Sequence, residues 1–187
     1  MCMPLMSRRS PDGSLLLLRS ETHAVYVYKY FHHETPRLCS TYQAPSPILD
    51  LQWYKLPAMA PTNHGIEHRW CYVISCRDVP TRFVDSIDGC TKASYGIINH
   101  VEMYDPLFAL TFSDDASWMY AGQRNALALF PLHAVGNNHH LALDLSSQAS
   151  EQYEGGQHGI VSALAVGASQ AAAQQDALET VQVTAVG

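Results

Sequence analysis

What this chain lacks narrows the reading first. Of its 187 residues, none after Arg124 is a lysine or an arginine. All 11 bases lie up to that point against 12 acids, and Asp144, Glu151, Glu154, Asp176 and Glu179 follow it. A near-neutral body with an acidic end lacks the bulk charge of a polyanion-binding protein. Long apolar runs are missing as well. The run Leu15–Leu18 falls far short of both a signal-peptide core and the roughly 20 apolar residues of a membrane span. There is no Asn-x-Ser/Thr acceptor, and the five cysteines (Cys2, Cys39, Cys71, Cys76, Cys90) form no Cys-x-x-Cys unit. The expectation is a soluble intracellular chain with free thiols. With only 15% charged and 47% apolar residues, it can bury a sizeable core and is no charge-driven disordered chain.

The local signal is β over the first 166 residues. Ala24–Tyr28, Ile48–Leu51, Tyr72–Ser75 and Phe108–Phe112 are short runs of β-branched and aromatic residues bounded by polar, Pro or Gly clusters. No stretch there keeps a helical apolar period. Self-comparison shows a repeat. Ser10-Pro-Asp-Gly-Ser14 matches Ser113-Asp-Asp-Ala-Ser117, and each is followed by an apolar strand, a polar turn and a second strand ending on an aromatic. A third copy runs through Tyr72–Ser75 and Thr81–Val84. Aligning Val27, Val84 and Leu129 gives spacings of 57 and 45 residues, and a propeller blade takes about 40–45 residues in four strands. The extra length is expected as an insertion at Pro57–Arg69. Residues 48–54, 71–76, 81–85 and 91–96 then form one blade, and 106–113, 117–122, 126–131 and 141–146 another. A blade fragment precedes residue 30, and Gly159–Val166 begins a fourth. The predicted fold class is all-β, a partial propeller over 1–166 followed by an Ala/Gln-rich tail, 167–187, that is not blade-like.

The run from Trp70 through Arg77 to Val84-Asp85, Gly89 and Tyr95, then Asn99-His100 and Ala109–Asp115, resembles the telomerase Cajal body protein family of WD-repeat β-propellers, in its fungal or plant form. The resemblance covers roughly residues 10–166. It departs from the pattern where the Trp-Asp dipeptide reads Val84-Asp85 and the Gly-His pair reads Asn99-His100. It implies a ring of about seven blades, so the chain reads as a truncated or mis-spliced product of such a gene. Apolar blade faces left open would favour self-association in place of the missing blades.

No catalytic residue, metal or cofactor is expected. The sequence has no Gly-x-Ser-x-Gly, no His-Glu-x-x-His and no Lys-bearing phosphate loop, and Gly155–Gly159 reads as a linker. On a strand, the neighbours His32-His33 and His139-His140 point to opposite faces, as do Cys71 and Cys76. His64 and His68 would need a helix to converge, but Pro61, Asn63 and Gly65 argue for a loop. In WD-repeat blades an Asp in the turn between the second and third strands accepts hydrogen bonds from a His on the preceding connection. The resemblance therefore assigns Asp78, Asp85 and His100 to a structural blade network.

It also implies a function. The family acts as a non-catalytic scaffold that binds small Cajal body RNAs of the H/ACA type, including telomerase RNA, and directs them to Cajal bodies in the nucleus with other ribonucleoprotein proteins. RNA contact needs cations for phosphates and rings or Arg planes for unstacked bases. Arg77, Arg82, Lys92 and Arg124 stand near strand ends or turns, with Tyr95 and Tyr104 as stacking candidates. The plainer reading of each is ordinary solvated surface. The competing function is a splicing-associated protein-interaction fragment without RNA contact, or a chain inactive because truncated.

Overall fold

The computed structural model describes residues 4–30, 35–56, 70–145, 159–167 and 180–184, and these are built from strands. Strands β1 (Pro4–Arg9), β2 (Leu15–Ser20), β3 (Ala24–Lys29) and β4 (Arg37–Gln43) form one antiparallel meander. Strands β5 (Ile48–Lys55), β6 (Trp70–Cys76), β7 (Thr81–Asp85) and β8 (Thr91–Gly96) form the second. The third is β9 (Ala109–Phe112), β10 (Trp118–Gly122), β11 (Ala126–Pro131) and β13 (Leu141–Asp144). Between β11 and β13, the two-residue β12 (Gly136–Asn137) pairs in parallel with β8 of the second sheet and clasps the two sheets together. Strands β14 (Ala163–Gly167) and β15 (Thr180–Thr184) make an antiparallel pair.

The repeat and its strands appear as predicted, with two extensions. The fragment before residue 30 is a whole sheet, completed by β4. Its sequence, Arg-Leu-Cys-Ser-Thr-Tyr-Gln, is polar and its residues are exposed or half-buried, so it carries little of the apolar alternation that marks a strand. The segment expected as an un-bladelike tail contributes β15, hydrogen-bonded to β14. The expected insertion at 57–69 lies outside the described residues, as do His32, His33, His64, His68 and the linker 155–158.

The two Ser-rich turns form by the same local chemistry. Ser10 Oγ donates to Asp12 Oδ1 at 2.6 Å, Ser14 N and Oγ donate to the same carboxylate, and Leu15 N donates back to Ser10 Oγ at 2.9 Å. Ser113, Asp115, Ser117 and Trp118 repeat this with bonds of 2.5, 2.9, 2.8 and 3.0 Å. Asp side chains that bond their own backbone two residues on fold such reversals without distant help. Gly13 takes φ +75°, which costs glycine nothing, whereas Ala116 holds φ +58° in the equivalent position.

The sheets stack face to face, and β6 sits at the centre of the stack, buried along its whole length. Side chains alternate across a strand, so β6 serves two seams. Trp70, Tyr72, Ile74 and Cys76 pack with Leu15, Leu17, Val25 and Val27 of the first sheet. Cys71 and Val73 pack with Leu110, Met119, Ala128 and Phe130 of the third. The expected divergence of Cys71 and Cys76 is thus observed. Each fully buried side chain of this size contributes about 1.5–3 kcal/mol before ordering entropy is subtracted. Val84 lies in the first seam and Phe83 in the second. Val27 faces the sheet that follows its own, so its counterpart is Phe83, one residue from the Val84 that the sequence spacing suggests.

The innermost strands are tied by polar contacts. Arg8 on β1 donates to Gln52 Oε1 at 2.6 Å and lies 3.5 Å from Asp50 on β5. Asp50 Oδ2 in turn accepts the Leu110 N–H of β9 at 2.8 Å. A carboxylate in a strand thereby joins three successive sheets.

Candidate nucleic-acid interface

In an antiparallel meander, the turn between the second and third strands falls at the same end as the link to the next sheet. Backbone bonds show that end here. Ala44 N donates to His23 O at 3.0 Å, Arg77 N to Pro47 O at 2.9 Å, and Val161 N to Gln123 O at 3.0 Å. Ser46 Oγ also donates to Arg77 O. The turns 21–23, 77–80 and 123–125 thus share one end of the stack with the links 44–47, 97–108 and 159–162.

Arg77 and Arg124 occupy corresponding turns of the second and third sheets, both exposed. Arg124 is held by a backbone bridge to Ile160, and Asn125 N donates to Gly159 O at 2.8 Å. Gly159 N returns a bond to Asn125 Oδ1 at 2.6 Å. Arg82, second in β7 after the turn at 77–80, is half-buried and donates to Tyr42 Oη of β4 at 2.9 Å.

Of the other sequence-predicted residues, Tyr104 lies on the 97–108 link at this end but is engaged within it, and Lys92 and Tyr95 are not part of this group. Lys92 opens β8 at the opposite end, bonded to Asp88 at 2.8 Å and 3.9 Å from Asp85. That Lys92 bond holds the Asp88 carboxyl below its ordinary range. Tyr104 lies against Gly96, where a Cβ would come within 2.8 Å of its ring, and its hydroxyl accepts a bond from Asn137 at 3.1 Å. Tyr95 is a correction. It is 2% exposed and packed between Phe83 and Phe130, with its hydroxyl bonded to Leu132 O at 2.6 Å. Burial pushes that hydroxyl up to about 12. No ring face is left for a base.

The expected blade network is also rearranged. Asp78 is exposed at φ +63°, His100 is exposed, and among the described residues no hydrogen bond joins them. Asp85 is fully buried, but it serves its own hairpin. Its Oδ1 accepts Ile87 N at 2.9 Å, and its backbone N–H donates to Cys90 O at 3.0 Å. Asn99, not its neighbour His100, organises the next link. Its Oδ1 accepts Val101 N and Met103 N, and its amide donates to Asp105 at 3.0 Å. Asn commonly folds a turn on its own backbone, a signal present in the sequence. The clasp of β12 on β8 had no such signal, because Gly136-Asn137-Asn138 reads as a loop.

No protein-family model matches the chain. It is 27% identical over 135 residues to guanine nucleotide-binding protein negative regulator 1 of Schizosaccharomyces pombe, covering 66% of this chain and 33% of that protein. It is 26% identical over 172 residues to telomerase Cajal body protein 1 of Homo sapiens, covering 86% of this chain and 29% of that protein. The Mus musculus counterpart is 25% identical over 171 residues. The chain thus spans about a third of the length of the curated relatives it matches.

Proposed function

We propose that this chain, a distant relative of the telomerase Cajal body proteins with a partial WD-repeat propeller, is a non-catalytic scaffold that contacts a small Cajal body RNA of the H/ACA type. Telomerase RNA is one such partner. The contact surface is the end of the stack that carries Arg77, Arg82 and Arg124, and the chain works in the nucleus, at Cajal bodies, beside other ribonucleoprotein proteins. The supporting observation is the placement of Arg77 and Arg124 on equivalent exposed turns of adjacent sheets. Cations set at the pitch of the repeat suit a backbone that crosses successive sheets, because phosphate neutralisation supplies most non-specific affinity.

The test is crosslinking in cells followed by sequencing of the bound RNA, with Arg77→Glu/Arg124→Glu as the comparison. The chain should recover H/ACA species and the double variant should lose them, at unchanged thermal stability. Recovery of proteins without any H/ACA RNA would overturn this reading in favour of a protein-interaction scaffold, linked to splicing. The exposed apolar side chains Val101 and Met103 on the Asn99 link favour that second reading.

A further inference from the structure

We propose that the seam between the first two sheets holds a site for a phosphoryl group, formed by Arg19 and Arg82. Cross-strand register places a row Arg19, Val25, Tyr42 across β2, β3 and β4 of the first sheet. A facing row, Leu51, Ile74, Arg82, Ser94, runs across β5 to β8 of the second. Val25, Leu51 and Ile74 meet in the buried seam, so both arginines project from the same side of their sheets as the core that joins them. Arg82 reaches across to the Tyr42 hydroxyl at 2.9 Å. Arg19 stands two strand spacings from Tyr42, about 10 Å between backbones, within reach for a long side chain directed at the same gap.

What the arrangement lacks is a counter-charge. Among the described residues neither guanidinium pairs with a carboxylate; the ion pairs there join Arg8 to Asp50 and Lys92 to Asp85 and Asp88. Arg19 Nε is buried and has no hydrogen-bond partner. The Cys76 thiol beside the two arginines is pushed up to about 11 by burial, against the opposing pull of both cations. It is therefore a neutral neighbour and supplies no negative charge. Two cations brought to one partly buried gap, with a donor unsatisfied and a phenol already in place, match the needs of a tetrahedral oxyanion. An Arg fork takes two of its oxygens, and the Tyr42 hydroxyl is placed to take another. Arg77 lies on the turn that leads into β7, so a strand running over that end would pass the mouth of the seam. The identity of the carrier as an RNA backbone rests on the reading in the preceding subsection; the oxyanion chemistry does not.

The experiment is calorimetric titration of the whole chain with inorganic phosphate and, separately, with a short single-stranded RNA. Arg19→Gln, Arg82→Gln and Arg77→Gln/Arg124→Gln are the comparisons. Phosphate should bind the unaltered chain, and each seam variant should weaken it about tenfold or more, the scale of one lost charge-assisted contact. Arg19→Lys and Arg82→Lys keep the charge and should retain part of the binding, which guards against a variant that fails to fold. Phosphate binding equal in all variants, or absent from the unaltered chain, overturns the site. Phosphate lost in the seam variants with no RNA binding by the unaltered chain supports the site and overturns the RNA carrier. RNA bound equally by the seam variants but lost in Arg77→Gln/Arg124→Gln supports the end surface and overturns RNA as the carrier at the seam.

Discussion

The two seams on either side of β6 are made from one strand and differ in how they treat polar atoms. On the side of the third sheet, Tyr54, Phe83, Tyr95, Phe112 and Phe130 interlock at ring separations of 4.9–6.1 Å. The hydroxyls of Tyr54, Tyr95 and Ser75 there each have a backbone acceptor, Ala116 O, Leu132 O and Leu107 O, while the buried His140 Nδ1 beside Phe130 has no partner. On the side of the first sheet, Trp53 and Trp70 meet edge to face at 6.2 Å, but the fully buried Tyr72 hydroxyl and Arg19 Nε lack partners. Hydroxyls already bonded to backbone have little left to offer a ligand. A guanidinium with a buried, unpartnered nitrogen retains bonding capacity, which buried polar groups rarely do without a reason. The seam with the third sheet is a structural joint, and the seam with the first is where function has room.

The largest effect should come from truncating the aromatic seam with the third sheet. Phe130→Ala removes a fully buried ring and should destabilise by about 3–5 kcal/mol, read by denaturant unfolding. A cost below that of an exposed substitution would show the seam is not a core.

Hydroxyl deletions sharpen the contrast. Tyr95→Phe leaves Leu132 O without its donor and should cost about 1–2 kcal/mol. Tyr72→Phe removes a hydroxyl with no partner, so it should be neutral or stabilising. Equal losses in the two variants would erase the distinction between the seams.

Acid should act through the paired turns. Burial tends to raise the Asp12 carboxyl, but bonds from Ser10, Ser14 and Trp70 outweigh it and hold it at about 2, against an ordinary 3.8. Bonds from Ser113 and Ser117 hold Asp115 at about 2 as well. A carboxyl depressed in the folded chain lends stability that is complete above the ordinary value and is lost as pH falls through the folded one. Melting temperature should therefore drop between about pH 4 and pH 2, and Asp12→Ala/Asp115→Ala should flatten that drop. Trp70 Nε1 donates to Asp12 at 2.8 Å from the second sheet, so Trp70→Phe should shift the Asp12 titration upward and leave Asp115 unmoved.

The smallest change concerns the turn residue that differs between the copies. Ala116→Gly removes a Cβ from a positive φ and should stabilise by roughly 0.5 kcal/mol, while Gly13→Ala should destabilise by about 1 kcal/mol. Calorimetric melting of both variants reads the sign directly.

Much of the fold was written locally. The Ser-x-Asp-x-Ser turns and the Asp88-Gly89 hairpin close through bonds within a few residues, so their residues announce them. The β-branched runs between them mark strands for the same reason. Register was not legible. β6 and β7 are buried on both sides, and a strand buried on both faces loses the alternation that would tell one face from the other. The one-residue difference between Val84 and Phe83 follows from that loss. Among the candidate residues, exposed turn positions such as Arg77 and Arg124 could be placed from their turns alone. Tyr95 could not, because its burial depends on Phe83, Phe130 and Leu132 arriving from distant parts of the chain. The placement of Arg19 and Arg82 on facing rows had no sequence signal either, since they are 63 positions apart and come to one seam only when two sheets stack. Short-range hydrogen bonding and side-chain alternation were thus determined by the sequence itself. Which face each strand turned, and which polar atoms went without partners, was decided by the stacking of one sheet on the next.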